Sequence, residues 1–204
     1  MSDNDPFAAF DSERTLIKPS AGRGSRTQVP GAGAPGGSPL PGHAEASAPI
    51  EALMGASLNP LVSAAAPLLG AAPRIRAMSQ HPNPAGLKDA LSEAVRRFES
   101  QARAQGLPNE QVVAGRYILC TLLDESAAST PWGGSGAWSA QSLLVQFHNE
   151  TWGGEKVFQL MSKLAENVEA NRNLLELLYI TLSFGFEGRY RVVDNGRAQL
   201  NAVR

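Results

Sequence analysis

"NRNLLELLYITLSFGFEG", residues 171–188, decides the fold class. Between residues 174 and 182 it carries six leucine or isoleucine residues, and Glu176 is the one charged residue there. This composition places apolar side chains all around a helix axis. A helix of that kind is typically buried in the centre of a protein. The stretch therefore predicts a central α-helix surrounded by other helices.

The sequence before this stretch also has helical periodicity. Asn59 and Asn83 each precede a proline, a helix-start signal, because Asn accepts from the free amides and Pro is tolerated in the first turn. Pro67 and Pro73 interrupt the apolar face of the first helix and are expected to kink or divide it. A third helix is predicted from Glu110 to about Ser126, and others follow it. The sequence thus predicts an all-α fold.

The first 55 residues have a different composition. Residues 20–49 contain seven Gly and five Pro and no aromatic residue, too little apolar surface to offset the entropy of ordering them. We predict a disordered leader over 1–55 and a helical domain over 56–204. Two interpretations of "DPFAAF", residues 5–10, stay open: a short docking motif or, the favoured one, no role at all.

Charge and cysteine content exclude several classes of protein. With 18 Lys and Arg against 19 Asp and Glu, the formal net charge is −1, which gives nucleic acid no attracting field. The single cysteine, Cys120, cannot form an internal disulfide and suits a reducing compartment. The N-terminus is acidic where an export signal would be basic. No segment reaches the ~18 apolar residues that a membrane span needs.

Two glycine-rich segments need an interpretation: "TPWGGSGAW", residues 130–138, and "TWGGEKVF", residues 151–158. A phosphate-binding loop needs a preceding strand and a Lys followed by Ser or Thr, and neither segment has this pattern. Gly lets backbones approach closely, and Trp buries a large flat surface. We interpret these residues as structural joints between helices: Trp132, Gly133, Trp138, Trp152, Gly153 and Gly154.

The candidate metal and catalytic residues have weak patterns. A metal site would use His148, Glu150 and Glu155 with His81 or Cys120, but the first two are two residues apart and diverge on a helix. A hydrogen-bonded structural histidine is the favoured interpretation of His148. Cys120 lies among apolar residues and is interpreted as a core residue. We therefore predict no catalytic, cofactor or metal site.

The remaining charged residues fit hydrogen bonding or partner contact. Asp124 and Glu125 are adjacent and diverge by about 100° on a helix, so they are expected to accept hydrogen bonds from the following loop or from Arg116. Arg189 could pair with a buried carboxylate or contact a partner, and both interpretations stay open. The candidate partner surface comprises Asp124, Glu125, Glu150, Glu155, Glu187 and Arg189.

Three strings carry a family resemblance: "RYILCTLLDESAASTPWG", "QSLLVQFHNETWGGEKVFQL" and "LLELLYITLSFGFEGRYRV". Together with the helix that starts at Asn59, they resemble the IcmH/DotU family, the TssL subunits of bacterial type VI secretion systems. The resemblance covers about 70% of the chain. One departure is Arg172-Asn173, where relatives tend to have Leu-Asp. The resemblance implies about seven or eight helices in a hook-like arrangement of two small bundles.

The same resemblance implies a function without enzyme activity or cofactor. It implies a scaffold in the bacterial inner membrane that faces the cytoplasm, assembles with an IcmF-like TssM subunit and the TssJ lipoprotein, and docks the cytoplasmic baseplate. Self-association is a further implied possibility. The alternative is a soluble helical module that binds a small molecule or regulates another protein. The C-terminal "DNGRAQLNAVR" begins like a capped helix, and we expect the natural gene to continue into a membrane span.

Overall fold

The structure is a computed structural model, and it describes residues 59–134, 136 and 138–204. The predicted leader and its boundary at residue 55 lie outside the described residues. The described part contains seven α-helices and two short 3-10 turns, with no strand, which confirms the all-α prediction. The helices are α1 (Pro60–Arg76), α2 (Pro84–Ala104), α3 (Asn109–Ala128), α4 (Leu143–His148), α5 (Gly154–Ala165), α6 (Arg172–Ser183) and α7 (Gly196–Val203). The 3-10 turns are Ser139–Gln141 and Gly188–Arg191.

The predicted helix starts at Asn59 and Asn83 are confirmed. The side-chain oxygen of Asn59 accepts hydrogen bonds from the backbone N–H of Leu61 and Val62, and that of Asn83 accepts from Gly86. The amide group of Asn59 also donates to the backbone oxygen of Asn173, 2.9 Å away. This cap therefore starts α1 and also attaches it to the first turn of α6.

The two prolines of α1 do not divide it. The helix runs without interruption from residue 60 to residue 76, and Pro67 and Pro73 lie on its exposed side. The prediction that they interrupt the apolar face is therefore wrong. Each proline removes one backbone hydrogen bond, but on the exposed side water can bind the carbonyl left without a donor.

The central helix is α3, not α6. Twelve of the twenty residues of α3 are buried, and the helix packs against α1, α2, α4, α5 and α6. In α6, by contrast, Tyr179 is 57% exposed, and Leu175 and Ile180 are half-buried. The prediction that α6 is buried on all sides is wrong, because neighbouring helices cover only the face of Leu174, Leu177, Leu178, Thr181 and Leu182.

The helix contacts form two groups that share α3. In the first, α1, α2 and α3 pack against one another, and α6 packs against α1 and α3. In the second, α4 and α5 pack on α3, while the second 3-10 turn packs against α5 and α7. The predicted C-terminal helix is present as α7, and Leu200 anchors it in the core at 3% exposure. Within the described residues, no helix combines the length and apolarity that crossing a bilayer requires.

Candidate interaction site

Asp124, near the end of α3, holds the segment that leads into α4. One carboxylate oxygen accepts hydrogen bonds from the indole N–H of Trp138 (2.9 Å) and the backbone N–H of Leu143 (3.0 Å). The other oxygen accepts from the backbone N–H of Leu144 at 2.8 Å. These are the first amides of α4, which have no partner inside that helix. Burial raises the pKa of Asp124, although these hydrogen bonds oppose that shift.

Glu125 binds free backbone amides as well, but at the start of the second 3-10 turn. It accepts hydrogen bonds from the backbone N–H of Glu187 (2.9 Å) and Gly188 (2.7 Å), where the second 3-10 turn begins. The Arg76 guanidinium, at the end of α1, donates to it at 3.0 Å. The Glu125 side chain is only 12% exposed. Three segments that are distant in sequence therefore meet at this one carboxylate.

The prediction of which groups donate hydrogen bonds to Asp124 and Glu125 is right in part. Loop amides do donate to both carboxylates, as expected. Arg116 donates to neither: its guanidinium contacts Glu99 at 2.9 Å, the Phe147 carbonyl at 3.1 Å and His148 at 3.1 Å. The guanidinium that binds Glu125 is that of Arg76.

His148 belongs to a buried polar group. Its Nε2 accepts from Arg116 Nε, and its ring makes an edge contact with Tyr117 at a centroid distance of 4.9 Å. Burial, with the positive charges of Arg116 and Lys156, lowers the pKa of His148 to about 3. The interpretation of His148 as a hydrogen-bonded structural histidine is confirmed. No three His, Cys, Asp or Glu side chains of the described residues form a metal-binding group.

Tyr117, Glu150 and Lys156 extend this group toward the surface. The Tyr117 hydroxyl donates to Glu150 at 2.8 Å, and Lys156 pairs with the other oxygen of the same carboxylate. Burial and the Glu150 carboxylate raise the pKa of Tyr117. Cys120 is fully buried on α3, and burial raises the pKa of its thiol well above the ordinary value. Its interpretation as a core residue is therefore confirmed, since reactive thiols need exposure and a lowered pKa.

The three tryptophans lie in different environments. Trp138 is buried at 4% exposure and donates to Asp124. Trp132 is half-buried, donates to the Met78 carbonyl at 3.0 Å and meets Trp138 edge-on. Trp152 is 64% exposed, so the prediction that its ring is buried at a helix junction is wrong. Trp152 belongs to the short non-helical segment before α5.

The glycines, not the Trp152 ring, bring the helices together at that point. A Cβ atom at Gly153 would lie 2.5 Å from the Thr121 hydroxyl oxygen on α3. At Gly154 it would lie 3.1 Å from the backbone of Gly188. Gly133 is as restricted, because a Cβ there would lie 2.1 Å from the Ala127 carbonyl oxygen. A larger residue at Gly133 would require the backbone to shift, and one at Gly153 would displace the Thr121 and Leu144 side chains.

A cleft of ≈ 140 Å³ lies beside Asp124 and Glu125. Its buried walls include Thr121, Trp138, Leu144 and Gly153, and its exposed lining residues include Thr151, Trp152 and Arg191. We call this feature the cleft. The sequence did not predict that Trp152 and Arg191 lie in this exposed lining, since neither the exposure nor the position of a side chain in a loop has a sequence signature.

The other predicted surface residues lie near the start of α5. Arg189 pairs with Glu155 at 2.9 Å, and the two side chains are 42% and 46% exposed. Arg189 also lies over the Phe158 and Tyr190 rings, at 5.3 and 5.0 Å from their centroids. Of the two open interpretations, pairing with a buried carboxylate is therefore wrong. Glu187 and Glu150 are about one-third exposed, whereas Asp124 and Glu125 face inward.

Comparisons with known proteins agree with this geometry. The family model described as "Type VI secretion system protein DotU" matches residues 60–204. The solved structure of TssL from Vibrio cholerae is similar with 40% sequence identity and a TM-score of 0.65, covering 71% of this chain and 90% of that one. The cytoplasmic domain of TssL from Acinetobacter baumannii has the same fold, with 20% identity, a TM-score of 0.65 and coverage of 72% and 92%. None of the curated proteins matches the chain.

Proposed function

We propose that this chain, which belongs to the DotU family of type VI secretion system proteins, is a non-enzymatic scaffold subunit that docks the cytoplasmic baseplate to the inner-membrane core. Membership in the DotU family makes this chain a type VI secretion system subunit. The observation that carries the scaffold role is the match over residues 60–204, together with 40% identity to a TssL. The partners that this role implies are an IcmF-like TssM subunit, TssJ within the membrane complex, baseplate components and a second copy of this chain.

The chemistry of the buried groups supports a scaffold. Asp124 and Glu125 each accept three hydrogen bonds from segments that they position. General acid–base catalysis works best with a pKa near the working pH. The pKa of His148 is lowered to about 3, and the pKa of Cys120 is raised. These groups therefore act in packing and hydrogen bonding.

The partner surface of this proposal is the exposed area around the start of α5. It comprises Trp152, Glu155, Arg189, Glu187 and Glu150, and we call it the α5 surface. Exposed Trp and Arg residues are the side chains that most often dominate binding energy at protein interfaces. Glu125 lies beneath this surface, because it binds the backbone amides of Glu187 and Gly188 next to Arg189. Asp124 binds the start of α4 instead.

The small-molecule alternative has less support. Ligand pockets usually enclose ~300–1,000 Å³, and the cleft has ≈ 140 Å³. A second pocket, of ≈ 420 Å³, lies beside Trp132 and Trp138 and falls within that range. Four of its seven lining residues are exposed, so a molecule bound there would stay largely in contact with solvent. We place the domain on the cytoplasmic side of the inner membrane, by analogy with the A. baumannii relative, whose solved part is a cytoplasmic domain.

The test is gene replacement in the source bacterium with type VI secretion as the readout. Deletion should abolish secretion, and the wild-type gene should restore it. The double variant Trp152→Ala, Arg189→Glu should fold but fail to restore secretion. Lys163→Glu, an exposed change elsewhere on α5, should restore it. Unchanged secretion after deletion would refute the proposal.

A further inference from the structure

The exposed side of the cleft presents an aromatic ring next to a cation. Trp152 is 64% exposed, and Arg191 is exposed as well. Within the part of the chain that the structure describes, neither side chain has a hydrogen-bond or ion-pair partner. Indole rings bind other aromatic rings, and guanidinium groups bind carboxylates. Together they fit a ligand that carries both an aromatic ring and an acidic group.

Arg191 is the residue of the cleft that can pair with an acidic group of a ligand. It is the one cation among the described residues that line the cleft. The two carboxylates there, Asp124 and Glu125, already accept three hydrogen bonds each, and Glu125 is paired with Arg76. A ligand carboxylate would therefore find its free charge partner at Arg191.

We propose that the cleft binds this chain's own N-terminal segment "DNDPFAAFD", residues 3–11. The segment has three Asp residues and no cation, and Phe7 and Phe10 are the only aromatic residues before Asn59. A cavity of ~150 Å³ is known to hold one benzene ring, so the cleft, with ≈ 140 Å³, has room for one phenyl group. The second ring packs on Trp152, and an Asp carboxylate pairs with Arg191.

The length of the intervening chain allows this contact. The described chain begins at Asn59, at the start of α1, and α1 ends at Arg76, which binds the cleft residue Glu125. A helix of 17 residues spans about 25 Å. The connecting residues 12–58 are rich in Gly and Pro. For a random coil of that length the expected end-to-end distance is about 35–40 Å, which would bridge the span.

Tethering makes even a weak contact effective. A segment on such a tether has an effective concentration on the order of 1 mM. A motif whose Kd is ~1 mM would therefore be docked in about half of the molecules. The docked segment would cover Trp152 and so compete with any partner of the α5 surface. Only that consequence rests on the proposed function; the docking itself does not.

The indole N–H signals of the three tryptophans test the proposal in the full-length chain. A nitroxide is attached at Ser12→Cys, and Cys120 escapes labelling because it is fully buried. The Trp152 signal, assigned with Trp152→Phe, should lose at least about half of its intensity, given the docked fraction above. In the same labelled chain with Phe7→Ser and Phe10→Ser, the Trp152 signal should regain its full intensity.

A second pair of variants tests the charge contact. Arg191→Glu should restore most of the Trp152 signal in the labelled chain. Arg197→Glu, a change at a 93% exposed side chain outside the cleft lining, should leave the loss unchanged. Equal signal loss with and without the two phenylalanines would mean mere proximity of the tether and would overturn the proposal. No loss in the wild-type chain would overturn it as well.

Discussion

Asp124 and Glu125 are neighbours in the chain, yet their side chains stabilise different segments. Asp124 binds the first amides of α4, and Glu125 binds the first amides of the second 3-10 turn. An anionic acceptor at free amide groups is favourable, because those groups otherwise have no partner. Each carboxylate therefore stabilises the start of one segment that follows α3 in the chain.

Glu125→Gln should lower the free energy of unfolding by about 1–3 kcal/mol, since it leaves the Arg76 charge and one loop amide less well bonded. Urea unfolding measures the change. Glu93→Gln removes an ion pair of the same type whose two side chains are more than half exposed, and it should change stability by less than about 0.5 kcal/mol. Equal effects of the two variants would show that the Glu125 contacts do not stabilise the domain.

Two tryptophans in the same region give a matched pair. Trp138→Ala removes a buried ring and should cost about 3–5 kcal/mol of stability. Trp152→Ala removes an exposed ring and should change stability by less than about 0.5 kcal/mol. Thermal unfolding of both variants checks the expectation. A large loss for Trp152→Ala would mean that its ring is covered in solution.

His148 makes the stability of the domain depend on pH. Its folded pKa, about 3, lies below the unfolded value of 6.5, so the unfolded chain takes up the proton first as the pH falls. Protonation in the folded state would place a second positive charge against Arg116. The stability associated with neutral His148 is complete above about pH 6.5 and is lost progressively as the pH falls toward 3.

Unfolding measured at pH 7 and pH 5 tests this dependence. Wild-type stability should fall by about 2 kcal/mol from this group. His148→Gln, which keeps an acceptor for Arg116 but cannot titrate, should lose that much less between the two pH values. Asp124, whose pKa is raised, acts in the opposite direction in both chains and cancels in the difference. Identical pH profiles would contradict the assignment of His148.

At the level of helices, α3 and α5 meet through glycine. The start of α5 approaches Thr121 on α3 so closely that a Cβ at Gly153 has no space. Gly153 thus lets α5 begin close against α3, and α5 in turn presents the partly exposed Glu155 and Lys156. The position of the α5 surface follows from this contact.

Gly153→Ala should destabilise the domain by about 1–3 kcal/mol, because the added methyl group overlaps the buried Thr121 and Leu144 side chains. Gly70→Ala is the matched control. Gly70 lies on the exposed side of α1 with no atom within 4 Å of an added Cβ, so the control should stabilise by about 0.5–1 kcal/mol. The melting temperatures of both variants, measured by calorimetry, test this prediction. An unchanged melting temperature for Gly153→Ala would mean that the close contact between Gly153 and Thr121 does not hold α5 against α3.

Local signals in the sequence predict the helices better than the contacts between them. Asn59 and Asn83 were identified as caps because a cap depends only on neighbouring residues. The partners of Glu125 lie 49 to 63 residues away, and no local pattern encodes such a contact. The environment of Trp152 was missed for a related reason, since a Trp ring is usually buried and only the packed structure reveals an exception.

In the whole described domain, polar contacts at both ends of α1 connect distant parts of the chain. Asn59 binds residues of α6, and Arg76 binds Glu125 of α3. Apolar packing along α1, α3 and α6 lies between these two ends. These polar contacts and this packing hold α1, α3 and α6 together.

The most direct test of the scaffold role is co-isolation of the full-length chain with its secretion apparatus. The tagged protein should be purified after mild solubilisation of membranes from the source bacterium, and the retained proteins identified by mass spectrometry. We expect an IcmF-like subunit and baseplate components at near-stoichiometric amounts. The double variant Trp152→Ala, Arg189→Glu should lose at least one of them while keeping its melting temperature. Recovery of the intact, folded chain without any other secretion subunit would contradict the account.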